Sequence, residues 1–290
     1  MEGITSYYDT LVPTRAGLIT RERYMEILGD RIATLRAIPG RRLQSLEESS
    51  YDAWIKLYRR DENTVNSSVS YYLKGAMAVF MLDLHIRLES GGERSFDDVL
   101  RALWIRQRDT NQAIAPSEVN QLLSEAVGMD LTSQLDAWVR SREDLPFDEM
   151  LGRFGLTLTG KHKDTYTRPK TASGEPAPWM GITSKTVRGL TIVNEVRRDG
   201  PGHEADIASG DELIAIDGLR LEPGGLKKRL ALFEPGQTLK LTLSRRHELI
   251  ERELTLGERP HDGYTLALSE ALTDDQRDFV HAWLGGLPES

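Results

Sequence analysis

Residues 208–218 read Ala208-Ser209-Gly210-Asp211-Glu212-Leu213-Ile214-Ala215-Ile216-Asp217-Gly218. A short apolar run, Leu213, Ile214 and Ile216, is bracketed by Gly210-Asp211 and Asp217-Gly218, the punctuation of a buried strand between two tight turns. The glycines permit the turns and the aspartates bond local backbone. Working outward, the pattern repeats. Residues 179–187, 190–197, 239–244 and 251–256 are β-type runs separated by Arg188-Gly189, Asp199-Gly200-Pro201-Gly202 and Pro235-Gly236. Residues 226–233 have helical spacing, and a second helix over 273–284 closes the chain.

Upstream of residue 161 the period is helical. Thr20 caps a helix in which Ile27, Leu28, Ile32, Leu35 and Ile38 recur before Pro39-Gly40. Ser45-Leu46-Glu47-Glu48 is a capping box, and residues 58–68, polar and without periodicity, read as a loop. Between Ser70 and Ser90, residues Tyr72, Gly75, Ala76, Val79 and Phe80 share one helical face, and Gly91-Gly92 ends it. Ser95-Phe96-Asp97-Asp98 starts another helix. Three shorter helical stretches follow, ending at Gly155. The fold class expected is multidomain α and β, with an N-terminal all-α bundle followed by a β domain carrying two helices. The boundaries expected are 1–160 for the helical part, 161–178 for a Pro- and Gly-rich linker, 179–260 for the β domain and 261–290 for a C-terminal extension with a helix.

Composition narrows the function. A chain of 290 residues, 39% hydrophobic and 28% charged, suits two soluble globular domains. The net charge of −8 argues against nonspecific nucleic-acid or membrane-surface binding, since both favour basic patches. Without cysteine, a metal must be held by His, Asp or Glu. No apolar run approaches the ~20 residues of a membrane span. No signal peptide opens the chain, and the compartment, cytoplasmic or periplasmic, stays open.

The β domain resembles a PDZ domain of the bacterial protease-associated kind. The likeness rests on Trp179-Met180-Gly181-Ile182, on Val196-Arg197-Arg198-Asp199-Gly200-Pro201-Gly202-His203-Glu204-Ala205, and on residues 208–218. It implies that a peptide adds as a strand beside residues 181–186, its C-terminal carboxylate taken by the backbone of Trp179, Met180, Gly181 and Ile182. Ile182, Leu226 and Leu230 would line an apolar pocket. Equally, these side chains would serve as core, with the domain packing on the helical part and holding no free peptide.

Two places, Glu2-Gly3-Ile4-Thr5 ahead of Tyr7-Tyr8 and Tyr71-Tyr72-Leu73-Lys74-Gly75-Ala76, carry a second likeness. On them the helical part resembles the glycyl aminopeptidase family of zinc metallopeptidases, in the thermolysin-like, glutamate-liganded clan. The resemblance implies that Glu2 is the third zinc ligand and that Tyr72 donates a hydrogen bond to the oxyanion of the tetrahedral intermediate, with Tyr71 as the alternate one register away. A phenol suits that task because it stabilises developing charge without competing for the metal. Gly75, one turn beyond Tyr72, lets another backbone or a substrate come close.

The departure is at the start. The two histidine ligands and the general base of a His-Glu-x-x-His helix are absent: His247-Glu248-Leu249-Ile250-Glu251 lacks the second His and falls at a hairpin, and His85 reads as a surface or packed residue. The expectation is a C-terminal fragment of a zinc aminopeptidase acting on peptide or protein substrates, with a preference for N-terminal Gly or Ala. The parent would hold zinc; the fragment alone would hold none and be inactive. The alternative is a non-catalytic PDZ-containing peptide-binding or scaffold protein.

Overall fold

The computed structural model describes residues 2–163 and 177–285. Residues 164–176, the larger part of the expected linker, lie outside the described residues. The first half of the chain runs α1 (Glu2–Arg15), α2 (Arg21–Arg36), α3 (Leu46–Tyr51), α4 (Thr64–Ser67), α5 (Tyr71–Glu89), α6 (Phe96–Thr110), α7 (Val119–Val127), α8 (Thr132–Leu135), α9 (Phe147–Arg153) and β1 (Leu156–Lys161). Side-chain caps fix the starts. Thr20 accepts from the Arg23 amide, Ser45 and Glu48 close a reciprocal box at α3, and Ser70 opens α5.

α5 is the axis of the helical part. It is buried on nearly every side from Lys74 to Arg87, so the single apolar face read from its sequence becomes a fully enclosed helix. Residues 58–68, read as a loop, contain the one-turn helix α4. No apolar periodicity marks it, because side chains stitch it together: Thr64 Oγ1 donates to Asp61 Oδ1 at 2.9 Å and accepts from the Asp61 amide at 2.8 Å.

The second half holds β2 (Pro178–Trp179), β3 (Ile182–Val187), β4 (Leu190–Val196), α10 (Pro201–Glu204), β5 (Glu212–Ile216), β6 (Leu219–Arg220), α11 (Leu226–Leu230), β7 (Thr238–Arg245), β8 (Glu248–Thr255), β9 (Gly257–Glu258), β10 (Gly263–Leu268) and α12 (Asp274–Leu284). The main sheet is antiparallel, in the order β3-β4-β5-β7-β8, with β6 paired to β5. Its core joins Met180, Val193, Leu213, Ile216, Leu241 and Leu254, among others. The run expected over 179–187 breaks at Gly181, whose φ of +72° separates β2 from β3. Asp211 is buried; it accepts the Ala208 amide at 2.8 Å and Arg245 Nε at 2.8 Å. No described helix is long and apolar enough to cross a membrane.

The chain then returns to the helical part. β10 pairs antiparallel with β1, from Leu156 opposite Leu268 to Lys161 opposite Gly263, giving the helical part a two-stranded ribbon that its sequence reading lacked. β10 lies so close to α2 that a Cβ on Gly29 would sit 2.3 Å from the Tyr264 carbonyl oxygen. α12 delivers Trp283, fully buried, against Tyr24, Phe80 and Phe154 at ring separations of 5.5–5.7 Å. Its indole N–H donates to Tyr7 Oη at 2.9 Å, and Tyr7 donates to the buried Asp83 at 2.7 Å. Asp83 also accepts Arg87 Nε at 3.1 Å and the Phe96 amide at 2.8 Å. One polar chain therefore ties α1, α5, α6 and α12 together. Trp283→Ala is expected to lower the unfolding free energy by about 3–5 kcal/mol, the cost of an emptied aromatic site, as read by urea denaturation.

Candidate active site and peptide-binding edge

Helices α1 and α5 cross at two glycines. A Cβ on Gly3 would lie 2.6 Å from the Gly75 backbone, and one on Gly75 would lie 2.9 Å from Gly3 Cα. The backbones touch, so any side chain at either position forces them apart. Glu2 precedes Gly3, and Tyr72 lies three residues before Gly75, so the crossing brings the start of both helices to one place. The close approach read from Gly75 is thus made by the backbone of α1.

At that place stand Glu2, Tyr71 and Tyr72, joined by Tyr58 from the polar stretch ahead of α4. Tyr58 Oη lies 3.0 Å from Tyr71 Oη and 3.0 Å from Tyr72 Oη. The rings of Tyr71 and Tyr72 are 4.4 Å apart, and that of Tyr58 is 5.1 Å from Trp54. Hydrogen bonds from Tyr71 and then Tyr72 hold the Tyr58 phenol below its ordinary pKa. Their bonds to Tyr58 push Tyr71 and Tyr72 up, and the negative charge of Glu2 adds to the rise at Tyr72. Glu2 is exposed, and its carboxylate receives a long bond of 3.4 Å from Thr5 Oγ1. No local pattern marked Tyr58; its role is set by where Tyr71 and Tyr72 already stand.

Lys74, between Tyr72 and Gly75, is 2% exposed and donates to the Arg41 carbonyl at 3.3 Å, its pKa pushed down by desolvation. It faces away from the tyrosines, onto a cleft of about 570 Å³ walled by Arg36, Arg41, Asp144, Phe147 and Tyr264. His85 packs edge-on against Trp138 at 6.0 Å, with its pKa lowered by burial. His247 occupies the β7–β8 hairpin at φ +73°. Among the described residues no three His, Cys, Asp or Glu side chains gather as a metal cluster.

In the β domain, Met180, Leu226 and Leu230 are buried in the core, while Trp179 and Ile182 are half-buried. Gly181 presses on Gly200, where an added Cβ would meet Gly181 Cα at 2.7 Å. The Gly181 carbonyl accepts the Arg197 amide and the Met180 carbonyl accepts the Gly202 amide, at 2.8 and 2.7 Å. Among the described residues strand β3 pairs with β4 alone and is exposed from Thr183 to Val187, so its outer side is the sheet edge that a peptide strand would join.

The two parts meet through Asn66. Its side-chain amide copies a backbone unit: Nδ2 donates to the Val196 carbonyl at 2.7 Å and Oδ1 accepts the Arg198 amide at 2.8 Å. Asn66 is buried and lies five residues before Tyr71. Asn66→Ala leaves two backbone groups without partners, each costing about 1–3 kcal/mol if it stays buried. The β domain of that variant is therefore expected to undock, read as faster limited proteolysis near residue 197 with the cooperative unfolding of each part retained.

Comparison with known proteins gives the context. Residues 1–78 match the M61 glycyl aminopeptidase family, and residues 178–256 match the PDZ domain family. The chain is similar to the crystal structure of an aminopeptidase N family protein from Idiomarina loihiensis, at 31% identity and a TM-score of 0.82, over 98% of this chain and 48% of that one. The chain thus spans about half the length of that protein. Shorter likenesses include the HtrA-type protease AlgW with decapeptide, 23% identical over 31% of this chain and 32% of that one at a TM-score of 0.29. Another is a serine endoprotease from Yersinia pestis, 25% identical over 29% and 30% at a TM-score of 0.26. No curated protein matches the chain. The chain therefore joins, over residues 1–78, sequence similar to the M61 glycyl aminopeptidase family to a PDZ domain over residues 178–256.

Proposed function

We propose that this chain contributes the glutamate ligand and the oxyanion donor of a zinc-dependent aminopeptidase, and that its PDZ domain binds peptide C-termini. The observation that carries the reading is the Gly3–Gly75 crossing, which sets an exposed carboxylate beside a cluster of phenols at the ends of two helices that are far apart in sequence. A carboxylate oxygen is an ordinary zinc ligand, and among the described residues the Glu2 carboxylate has only a weak bond from Thr5 to give up. When bound, zinc would polarise a peptide carbonyl and make water nucleophilic at neutral pH.

The chain's own residues do the rest. Glu2 would hold the ion by one bond. The phenol of Tyr72 would donate to the carbonyl oxygen as it gains charge, a contact worth more in the transition state than in the ground state. Tyr71 is the alternate donor. The preference for N-terminal glycine or alanine is part of the proposal, as is a C-terminal peptide pairing along β3, with its carboxylate on the Met180–Ile182 backbone.

Four experiments test it. A single carboxylate does not hold zinc, so the isolated chain is expected to bind none stoichiometrically and to release no chromophore from an N-terminal glycine substrate. In a polypeptide joining this chain to a His-Glu-x-x-His helix, Glu2→Ala should empty the site, as read by metal analysis. There Tyr72→Phe should lower kcat by roughly 10²–10³ with little change in KM; an unchanged kcat refutes the donor role. Peptides with free C-termini should bind the chain and their amidated versions should not. Binding indifferent to amidation excludes carboxylate capture.

A further inference from the structure

The three phenols around Tyr58 obey a simple count. Each hydroxyl carries one proton to donate. The contacts of Tyr58 with Tyr71 and with Tyr72, both at 3.0 Å, use two protons of the three. These two contacts leave one O–H over.

Which residue presents it depends only on how the hydroxyls are turned. When Tyr71 and Tyr72 both donate to Tyr58, the spare proton is on Tyr58. When Tyr71 donates to Tyr58 and Tyr58 donates to Tyr72, the spare proton is on Tyr72. The reverse order leaves it on Tyr71. The arrangements interconvert by rotation about the ring C–O bonds, with no oxygen moving.

We propose that Tyr58 is a positioning residue of this site: it accepts from Tyr72 at rest and donates to Tyr72 when negative charge develops there, turning the Tyr72 proton outward. Every phenol keeps its own proton throughout, and no bond is made or broken.

A nearby anion selects the other order for two reasons. An O–H aimed at a charged acceptor is about twice as strong as one aimed at a neutral hydroxyl. The run Tyr71 to Tyr58 to Tyr72 to anion is also head-to-tail, so each donor polarises the next, whereas two donors converging on Tyr58 do not reinforce one another. Tyr58 is suited to the turn because it is half exposed and comes from the segment between α3 and α4, while Tyr71 and Tyr72 are fixed on the first turn of α5.

The inference rests on Tyr72 being the oxyanion donor, but the hydrogen-bond chain is testable without chemistry. The full chain is labelled at the tyrosine ring Cζ and compared with Tyr58→Phe, Tyr71→Phe and the double variant by NMR. Phenylalanine keeps each ring, so ring-current effects are held constant. The signal of Tyr7, buried in the helical core, reports that the fold is retained. Tyr58→Phe should move the resonances of both Tyr71 and Tyr72, and Tyr71→Phe should move that of Tyr72 only while Tyr58 keeps its hydroxyl. A Tyr72 signal indifferent to Tyr58→Phe, or one responding to Tyr71→Phe equally in both backgrounds, overturns the relay. If instead Tyr72→Phe spares peptide hydrolysis in the polypeptide joined to a His-Glu-x-x-His helix while these shifts are seen in the chain, the donor reading fails and the phenol chain stands.

Discussion

The contact of Gly3 with Gly75 is the constraint on which the site depends. Two helices whose backbones touch have almost no freedom to slide, because neither ridge carries a side chain to deform. The ends of α1 and α5 are therefore held in register, and Glu2 and Tyr72 inherit that register. A carboxylate and a phenol on flexible loops would need ordering at the moment of binding. Here the packing fixes the backbone that carries both side chains. Lys74, next to Gly75, carries a buried ammonium to the Arg41 carbonyl and so ties α5 to the turn over Pro39–Arg42.

The far end of the same helix pair is held by charge and aromatic packing. Asp83 is fully buried and accepts from Tyr7, Arg87 and the Phe96 amide, while Asp97 accepts from Tyr8 and Arg15. A carboxylate so buried is tolerable only because its acceptor positions are filled. Trp283 enters this network from the last helix, after the chain has passed through the entire PDZ domain. The helical core is thus completed by residues that follow the PDZ domain, and the PDZ domain is an insertion between β1 and β10 in the architecture.

Much of this was legible from local signals. Ser70 and Gly91-Gly92 bracket α5 because caps act within one turn, and Gly210-Asp211 and Asp217-Gly218 bracket β5 because turns need particular residues at particular positions. The peptidase likeness could be read at Glu2-Gly3 and Tyr72 to Gly75, yet the reason for two glycines there appears only when the helices are seen to cross. The β1–β10 ribbon escaped reading although Leu156-Thr157-Leu158-Thr159 alternates, since a strand is assigned by its partner, and the partner lies more than a hundred residues away. Tyr58 and Asn66 left no trace for the same reason. Both sit in a polar stretch without period, and each acquires its role from atoms supplied by another element.

Asn66 shows how these nonlocal contacts combine. It bonds the backbone just beyond β4, next to Arg197, whose amide is held by the Gly181 carbonyl at the start of the β3 edge. On its other side the chain passes through buried Ser68 and Val69 directly into Tyr71. Ser49 Oγ donates to the Val69 carbonyl at 2.5 Å and Gln44 accepts the Val69 amide, so that stretch has little room to flex. A displacement at the Gly181 turn would thus be opposed by the same bonds that fix the first turn of α5. A short run of hydrogen-bonded residues therefore joins the backbone beside the β3 edge to the first turn of α5.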